Sequence, residues 1–218
     1  MGNGEPKPRN VRLQYEGAKC RVSERRNLPV PQKRNERSFF DVIENRRSRR
    51  SFGLLSDAHL GSLLWYTAKT IRTLDSWESR MTPSAGGIHP VDILIVDVFN
   101  GFARARLYDS MAHALSTILD TQGFAAQHLL NRVNEVVEIQ EGVAVVFAAQ
   151  FGKTRAAYEN ADSLVWRDAG ALVCSFYMVC ESIGLNCCAL GATCASEVSD
   201  VLGSSLYSGV GGCVVGSK

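Results

Sequence analysis

The stretch DSLVWRDAGALVCSFYMVCESIGLNCCALGA, residues 162–192, decides the fold. From Asp162 to Ile183, the residues Val165, Ala169, Leu172, Val173, Phe176, Tyr177, Cys180 and Ile183 recur at helical spacing and make one apolar stripe. Gly184 is a natural left-handed stop for that helix. NCCAL (186–190) then reads as a short strand running into a Leu190-Gly191-Ala192 turn. Read alone, this is core helix, core strand and turn. It also offers a place where backbone can face a flat ligand.

Working outward, a small helix is expected near 196–202 and a last strand over GVGGCVVG (209–216). Upstream, VDILIVDV (91–98) and GVAVVFAAQ (142–150) are too apolar and β-branched to lie on the surface. Between them the pattern predicts a short strand near Leu107–Tyr108 and helical stretches over 111–120 and 122–133. Ser56 and Asp57 open a helix over 57–69, with its stripe on Leu60, Leu63, Leu64, Thr67 and Ala68. An earlier helix starts at Ser38, with Asp41 three residues on and Phe39, Val42 and Ile43 on one face, and ends near Arg46–Arg47. Residues 70–81 and MTPSAGGIHP (81–90) read as loop. Helices and strands mix without a strict βαβ rhythm or an internal repeat, so the fold class is α+β. Residues 1–37 are polar, with Pro6, Pro8, Pro29 and Pro31, and read as an extended arm before a domain over 38–218.

The chain has 218 residues, 45% hydrophobic and 21% charged, which is ordinary globular composition. Its net charge of +2 hides an asymmetry: residues 1–50 hold 14 Lys/Arg against 6 Asp/Glu. Such a basic end suits a phosphate-bearing ligand, a nucleic acid or an anionic surface. No apolar run reaches the length of a membrane span, and MGNGEPKPRN lacks the apolar core of a signal peptide. The expected compartment is the cytoplasm, with no membrane partner. Seven cysteines, an odd number, argue against a disulfide framework, and their spacing lacks the paired pattern of a zinc site. They read as small buried thiols, with no metal expected.

IENRRSRRSFG (43–53) sets four arginines around Ser48. Arginine forks match phosphate oxygens, and a hydroxyl adds a donor. The same cluster could be a solvated helix end, where cations suit the C-terminal dipole. A nucleic-acid arm would want aromatic interleaving, which is missing, so no nucleic acid is expected. TPSAGGIHP (82–90) carries small residues that let backbone approach a flat ring, although two glycines also suit a plain turn.

Taken in order, these three segments resemble the FMN-dependent nitroreductase family, and most closely its SagB-type dehydrogenase branch. The resemblance lies in the R-x-S-x-R-type segment, the helix LSDAHLGSLLWYTA, the loop Pro83-Ser84-Ala85-Gly86-Gly87-Ile88-His89-Pro90, the element Asp168-Ala169-Gly170, and CESIGLNCCALGA. It implies a central, mostly antiparallel sheet flanked by helices, and a homodimer with FMN at the interface. It places Arg46, Ser48 and Arg50 on the FMN phosphate, with Arg47 beside them, Arg49 facing water and Lys218 completing the site. It places Pro83, Ser84, Ala85, Gly86 and Gly87 along the ring, and Leu190, Gly191 and Ala192 near N5. The implied activity is hydride transfer through flavin N5 to or from a small organic or peptide-derived substrate, with NAD(P)H as candidate reductant and azoline oxidation as the narrower form. The alternative is a flavin-binding or flavin-free partner subunit without catalysis. Azole-forming relatives carry a Lys-Tyr pair before the long helix; here the position reads Ala157-Tyr158. Tyr158 is a candidate acid or base, and His89 a candidate contact to flavin or substrate. Trp65, Trp77 and Trp166 are candidates to flank the site, and residues 70–81 to shape access to it.

Overall fold

A computed structural model describes residues 4–32, 37–74, 77–120 and 124–218. In chain order the elements are β1 (Lys7–Pro8), β2 (Val22–Asn27), α1 (Phe39–Asn45), α2 (Asp57–Ala68), β3 (Thr70–Leu74) and β4 (Trp77–Arg80). A single 3-10 turn at Ala85–Gly87 precedes β5 (Val91–Phe99), β6 (Phe102–Asp109), β7 (Ala114–Ile118), α3 (Ala125–Asn134) and β8 (Val143–Ala149). The chain closes with α4 (Phe151–Arg155), β9 (Tyr158–Glu159), α5 (Asp162–Ile183), β10 (Leu185–Ala189), α6 (Ala195–Leu202) and β11 (Ser208–Ser217).

Seven strands form one sheet in the order β10-β11-β8-β5-β6-β7-β2, antiparallel throughout. The period-2 geometry of a strand divides its apolar residues between the two faces. On β5, Ile93 and Ile95 meet Leu63, Leu64 and Phe176 of α2 and α5, while Leu94 and Val96 meet Leu129, Val133 and Val198 of α3 and α6. Every residue of β8 is therefore buried, which explains its unbroken apolar run. Five cysteines sit in this core, Cys20 is half-buried and Cys174 exposed, and all seven are free. Among the described residues no helix is long and apolar enough to cross a membrane.

Local chemistry accounts for the helices. Ser38 and Ser56 cap α1 and α2 by accepting from the Asp41 and His59 backbone N–H groups. At the end of α5 Gly184 takes φ 78°, ψ 26°, a left-handed cap that glycine adopts without a Cβ penalty.

Three expectations are corrected. Residues 114–118 form the strand β7, not a helix. Met111, Ala114, Leu115 and Ile118 mimic a helical stripe, but β6 and β2 supply backbone partners on both sides of this segment. Tertiary pairing overrides local propensity here. The short strand at Leu107–Tyr108 is the eight-residue β6. Residues 70–74 and 77–80 are not loop but the antiparallel pair β3 and β4. The expected start of the 122–133 helix lies outside the described residues; α3 begins at Ala125. On α1 only Val42 is buried, leaving Phe39, Phe40 and Ile43 exposed.

The N-terminal segment is held against the domain. β2 is the edge strand beside β7, and β1 pairs with β9, setting Pro8 opposite Tyr158. Between them a buried side chain, Gln150, acts as a clamp. Its Oε1 accepts from the Tyr15 hydroxyl (2.9 Å) and the Ala18 N–H (3.0 Å). Its Nε2 donates to Asp92 Oδ2 (2.9 Å) and the Tyr207 hydroxyl (3.1 Å). Replacing Gln150 with leucine strands several of these buried groups, at about 1–3 kcal/mol. For a chain of this size the melting midpoint should fall by roughly 3–10 °C, measured by differential scanning calorimetry. An unchanged midpoint would show that the clamp contributes nothing.

Candidate functional site

All three sequence-nominated segments are tied to α5. Near its middle, Asp168 accepts from the Ser84 hydroxyl (2.5 Å) and the Ala85 N–H (3.1 Å), and the Ser84 oxygen in turn accepts from the His89 N–H (2.9 Å). These bonds fix the loop from Pro83 to Gly87. Gly86 and Gly87 sit at φ 61° and 64°. A Cβ on Gly86 would stand 2.5 Å from the Tyr158 hydroxyl, so glycine lets the phenol pack against the loop.

Near the C-terminal end of α5, the Tyr177 hydroxyl lies 2.8 Å from Ser48 Oγ and accepts from the Ala189 N–H, also at 2.8 Å. The Arg46 guanidinium lies 5.2 Å from the centre of the Tyr177 ring. The arginine segment and the strand leading into Leu190-Gly191-Ala192 are thus joined through one phenol. Leu190 and Ala192 are buried, while Gly191 is exposed, and a Cβ there would meet open space. Arg47 is exposed and spends its guanidinium on the Glu44 and Arg46 carbonyls (2.8 Å each), and Arg50 is exposed beside Ser48. Arg49 does not face water: it reaches Glu181 Oε2 at 2.5 Å, one α5 turn beyond Tyr177. Lys218 follows the Gly53–Ser217 bridge and lines a cavity of about 430 Å³ with Arg37, Asp41, Asn45, Arg49 and Glu181.

Tyr177 therefore joins Arg46, Ser48 and the strand entering the 190–192 turn, while Asp168 holds Ser84 and Ala85, with His89 and Tyr158 against the same loop. Asp168 and Tyr177 are nine residues apart, which is about 13 Å along a helix and about half a turn around it.

The nitroreductase family pattern matches residues 43–217, most of the chain. This chain belongs to the nitroreductase family.

A nitroreductase candidate from Ralstonia eutropha JMP134 superposes with a TM-score of 0.68 at 18% identity, covering 98% of each chain. A nitroreductase candidate from Anabaena variabilis ATCC 29413 gives 0.67 at 17% identity, over 95% of this chain but 43% of that one. A chain of the Escherichia coli microcin synthetase McbBCD complex, with truncated pro-MccB17 bound, gives 0.60 at 14% identity, over 86% and 75%. At such identities the likeness is one of fold. No curated protein matches the sequence. The fold is nitroreductase-like, and the family is one of oxidoreductases.

The loop is electrostatically set. His89 is buried at φ 48°, and its Nε2 donates to the Glu78 carbonyl (3.0 Å) on β4. Burial, followed by the Arg80 charge, pulls its pKa down to about 4, so the imidazole is neutral. Asp168 is pushed up by burial, against the lowering effect of its bonds to Ser84 and Ala85. A cavity of about 20 Å³ beneath the loop touches Arg80, Ser84, His89 and Asp168, room for about one water.

Four contributors went unassigned in the sequence reading. Tyr177 sat in the apolar stripe, and Asp168 was noted only as part of a D-A-G element. Glu181 reads in the sequence only as an acid near the end of the helix, one turn after Tyr177. Lys153 donates to the His89 carbonyl (3.1 Å), and burial lowers its pKa. No sequence signal announced it. Of the tryptophans, Trp65 packs edge-on against His113 at 4.9 Å, away from the loop. Trp166 is exposed and lines a cavity with Tyr158, and the Trp77 side chain lies outside the described residues.

His89 has a pH consequence. The fold keeps the imidazole neutral while the unfolded chain takes up a proton. Its contribution is complete above about pH 6.5 and is lost as the pH falls toward about 4. The loss is on the order of 2 kcal/mol. Melting midpoints of wild type and His89→Gln between pH 7 and pH 4.5 should show a shallower acid decline in the variant. Parallel declines would refute the assignment.

Proposed function

We propose that this nitroreductase-family chain is an FMN-dependent oxidoreductase working as a homodimer. It would pass hydride to or from a small organic or peptide-derived substrate, with NAD(P)H as candidate reductant. The observation that carries the reading is the joint at Tyr177, which sets a cationic segment and an open glycine turn side by side. The residues fit the cofactor. Arg46, Ser48 and Arg50 would hold the phosphate with charge-assisted bonds. Arg47 lies beside them, and Lys218 behind the same segment. Pro83, Ser84, Ala85, Gly86 and Gly87 would line the ring, as would Leu190, Gly191 and Ala192. Bound FMN supplies a hydride acceptor and donor at N5. The chain's own part is to hold the ring edge, exclude water and manage protons. Tyr158 carries a hydroxyl against the loop and would hold or release a substrate proton there. His89, buried and neutral, would keep the loop in shape through Nε2.

The half-turn between Asp168 and Tyr177 sets α5 between the two segments of one chain. That favours a site completed by the loop of a second copy. Exposed Phe39 and Phe40 on α1 give such a copy an apolar face to cover. The seven free thiols suit a reducing cytoplasm. The McbBCD neighbour, a synthetase complex with truncated pro-MccB17 bound, supports a peptide-derived substrate and the SagB-type branch, with azoline oxidation as the narrowest form. Ala157, standing where azole-forming relatives carry lysine, favours a second reading: a partner subunit of the same fold, flavin-binding or flavin-free, without turnover.

Arg46→Ala removes a charged hydrogen-bond donor and should weaken FMN binding by roughly ten- to a hundredfold. Arg132→Ala, at an exposed position of α3, should leave it unchanged. Flavin fluorescence titration reads both, and equal affinities would refute the phosphate assignment. Bleaching of the bound flavin by NAD(P)H separates the enzyme from the inert subunit.

A further inference from the structure

The five residues Arg46 to Arg50 offer four guanidinium groups within one short segment, and something must decide which of them face a ligand. The decision is made on α5. Ser48 is tied to Tyr177 at 2.8 Å, and Arg49 to Glu181 at 2.5 Å. Tyr177 and Glu181 are four residues apart and share a helix face. Two consecutive side chains of the segment are therefore pinned one turn apart on the same rail. The Arg49 N–H donates to the Cys187 carbonyl at 3.0 Å, so its backbone is fixed to β10 as well.

Glu181 is the unusual member. Its side chain is only 4% exposed, yet it carries two arginines, Arg49 at 2.5 Å and Arg37 at 3.2 Å. A carboxylate that deep is retained only where its charge and lone pairs are met. Arg37 also reaches the Glu181 carbonyl at 3.2 Å, and Arg49 the Asn45 carbonyl at 3.1 Å. These bonds commit the Arg49 guanidinium to Glu181 and to the end of α1.

We infer that Glu181 is a positioning residue for the anion seat: by capturing Arg49 it fixes the segment so that Arg46, Ser48 and Arg50 present together. Arg49 is then a structural cation and takes no part in holding the anion. The inference rests on the FMN reading above but assigns roles that reading leaves open, for an arginine next to the seat and a buried acid below it.

The test compares FMN with riboflavin, which differ only in the phosphate, by fluorescence titration of the full chain. Glu181→Gln keeps the shape and removes the charge that holds Arg49. It should weaken FMN roughly tenfold while riboflavin changes less than about twofold, because only the phosphate end depends on the segment. The double variant Arg49→Gln with Glu181→Gln replaces the ion pair with two amides. It should bring FMN back to within about threefold of wild type, since neither side chain touches the anion. Parallel weakening of both flavins would mark a general structural role and overturn the proposal. Unchanged or tighter FMN binding in Glu181→Gln would also overturn it, as would a double variant as weak as the single. If Glu181→Gln does not fold, the charge-neutral double variant decides alone, with a tenfold FMN loss refuting the assignment. Wild type that binds neither flavin overturns the FMN reading itself, and this inference with it.

Discussion

One helix, packed on the sheet along a single face, carries the arrangement. α5 runs 22 residues across one face of the sheet, with Val165, Ala169, Phe176 and Cys180 in the core. Every nominated segment takes its position from a polar side chain that interrupts that apolar stripe. Asp168 holds the Pro83–Gly87 loop, Tyr177 holds Ser48 and Ala189, and Glu181 holds Arg49. A helix rises about 1.5 Å per residue and turns about 100°. The spacing of these three residues therefore converts directly into a separation of loop and arginine segment. A packed core resists bending, so the separation is stiff.

The polar residues on this helix are costly where they lie, and each is answered. Asp168 meets two donors and Glu181 two guanidinium groups. Burial penalises a charge severely unless partners meet it, so such residues mark places where position matters more than stability. The same logic applies at Gln150, whose amide ties the N-terminal segment to Asp92 and Tyr207 beside the loop. Through β1 and β9 that segment also lies against Tyr158, so the face carrying the phenol is built partly from the first residues of the chain.

Legibility followed physical cause. α5, its Gly184 stop, β5 and β8 were readable because periodicity, a left-handed cap and β-branched runs are local signals. β7 was not: Met111, Ala114, Leu115 and Ile118 fit a helix as well as a strand, and only pairing to β2 and β6 decides. β2 itself carries VSERRN, a polar string with no alternation, and owes its form to a free edge on β7. At the site, the motif residues were visible because arginine, serine and glycine have few reasons to cluster. Their anchors were hidden. Tyr177 reads as one more core aromatic, and Glu181 as the solvated end of a helix, until the structure shows the arginines folded back onto it.

On the proposed reading, the Tyr177 joint of one copy and the Asp168-held loop of a second serve one flavin. The most direct measurement is mass spectrometry of whatever is released when the purified protein is denatured, with its absorbance recorded beforehand. The expected result is a yellow protein that yields FMN at about one molecule per chain. A colourless protein that yields no flavin and takes up none when FMN is added would contradict it.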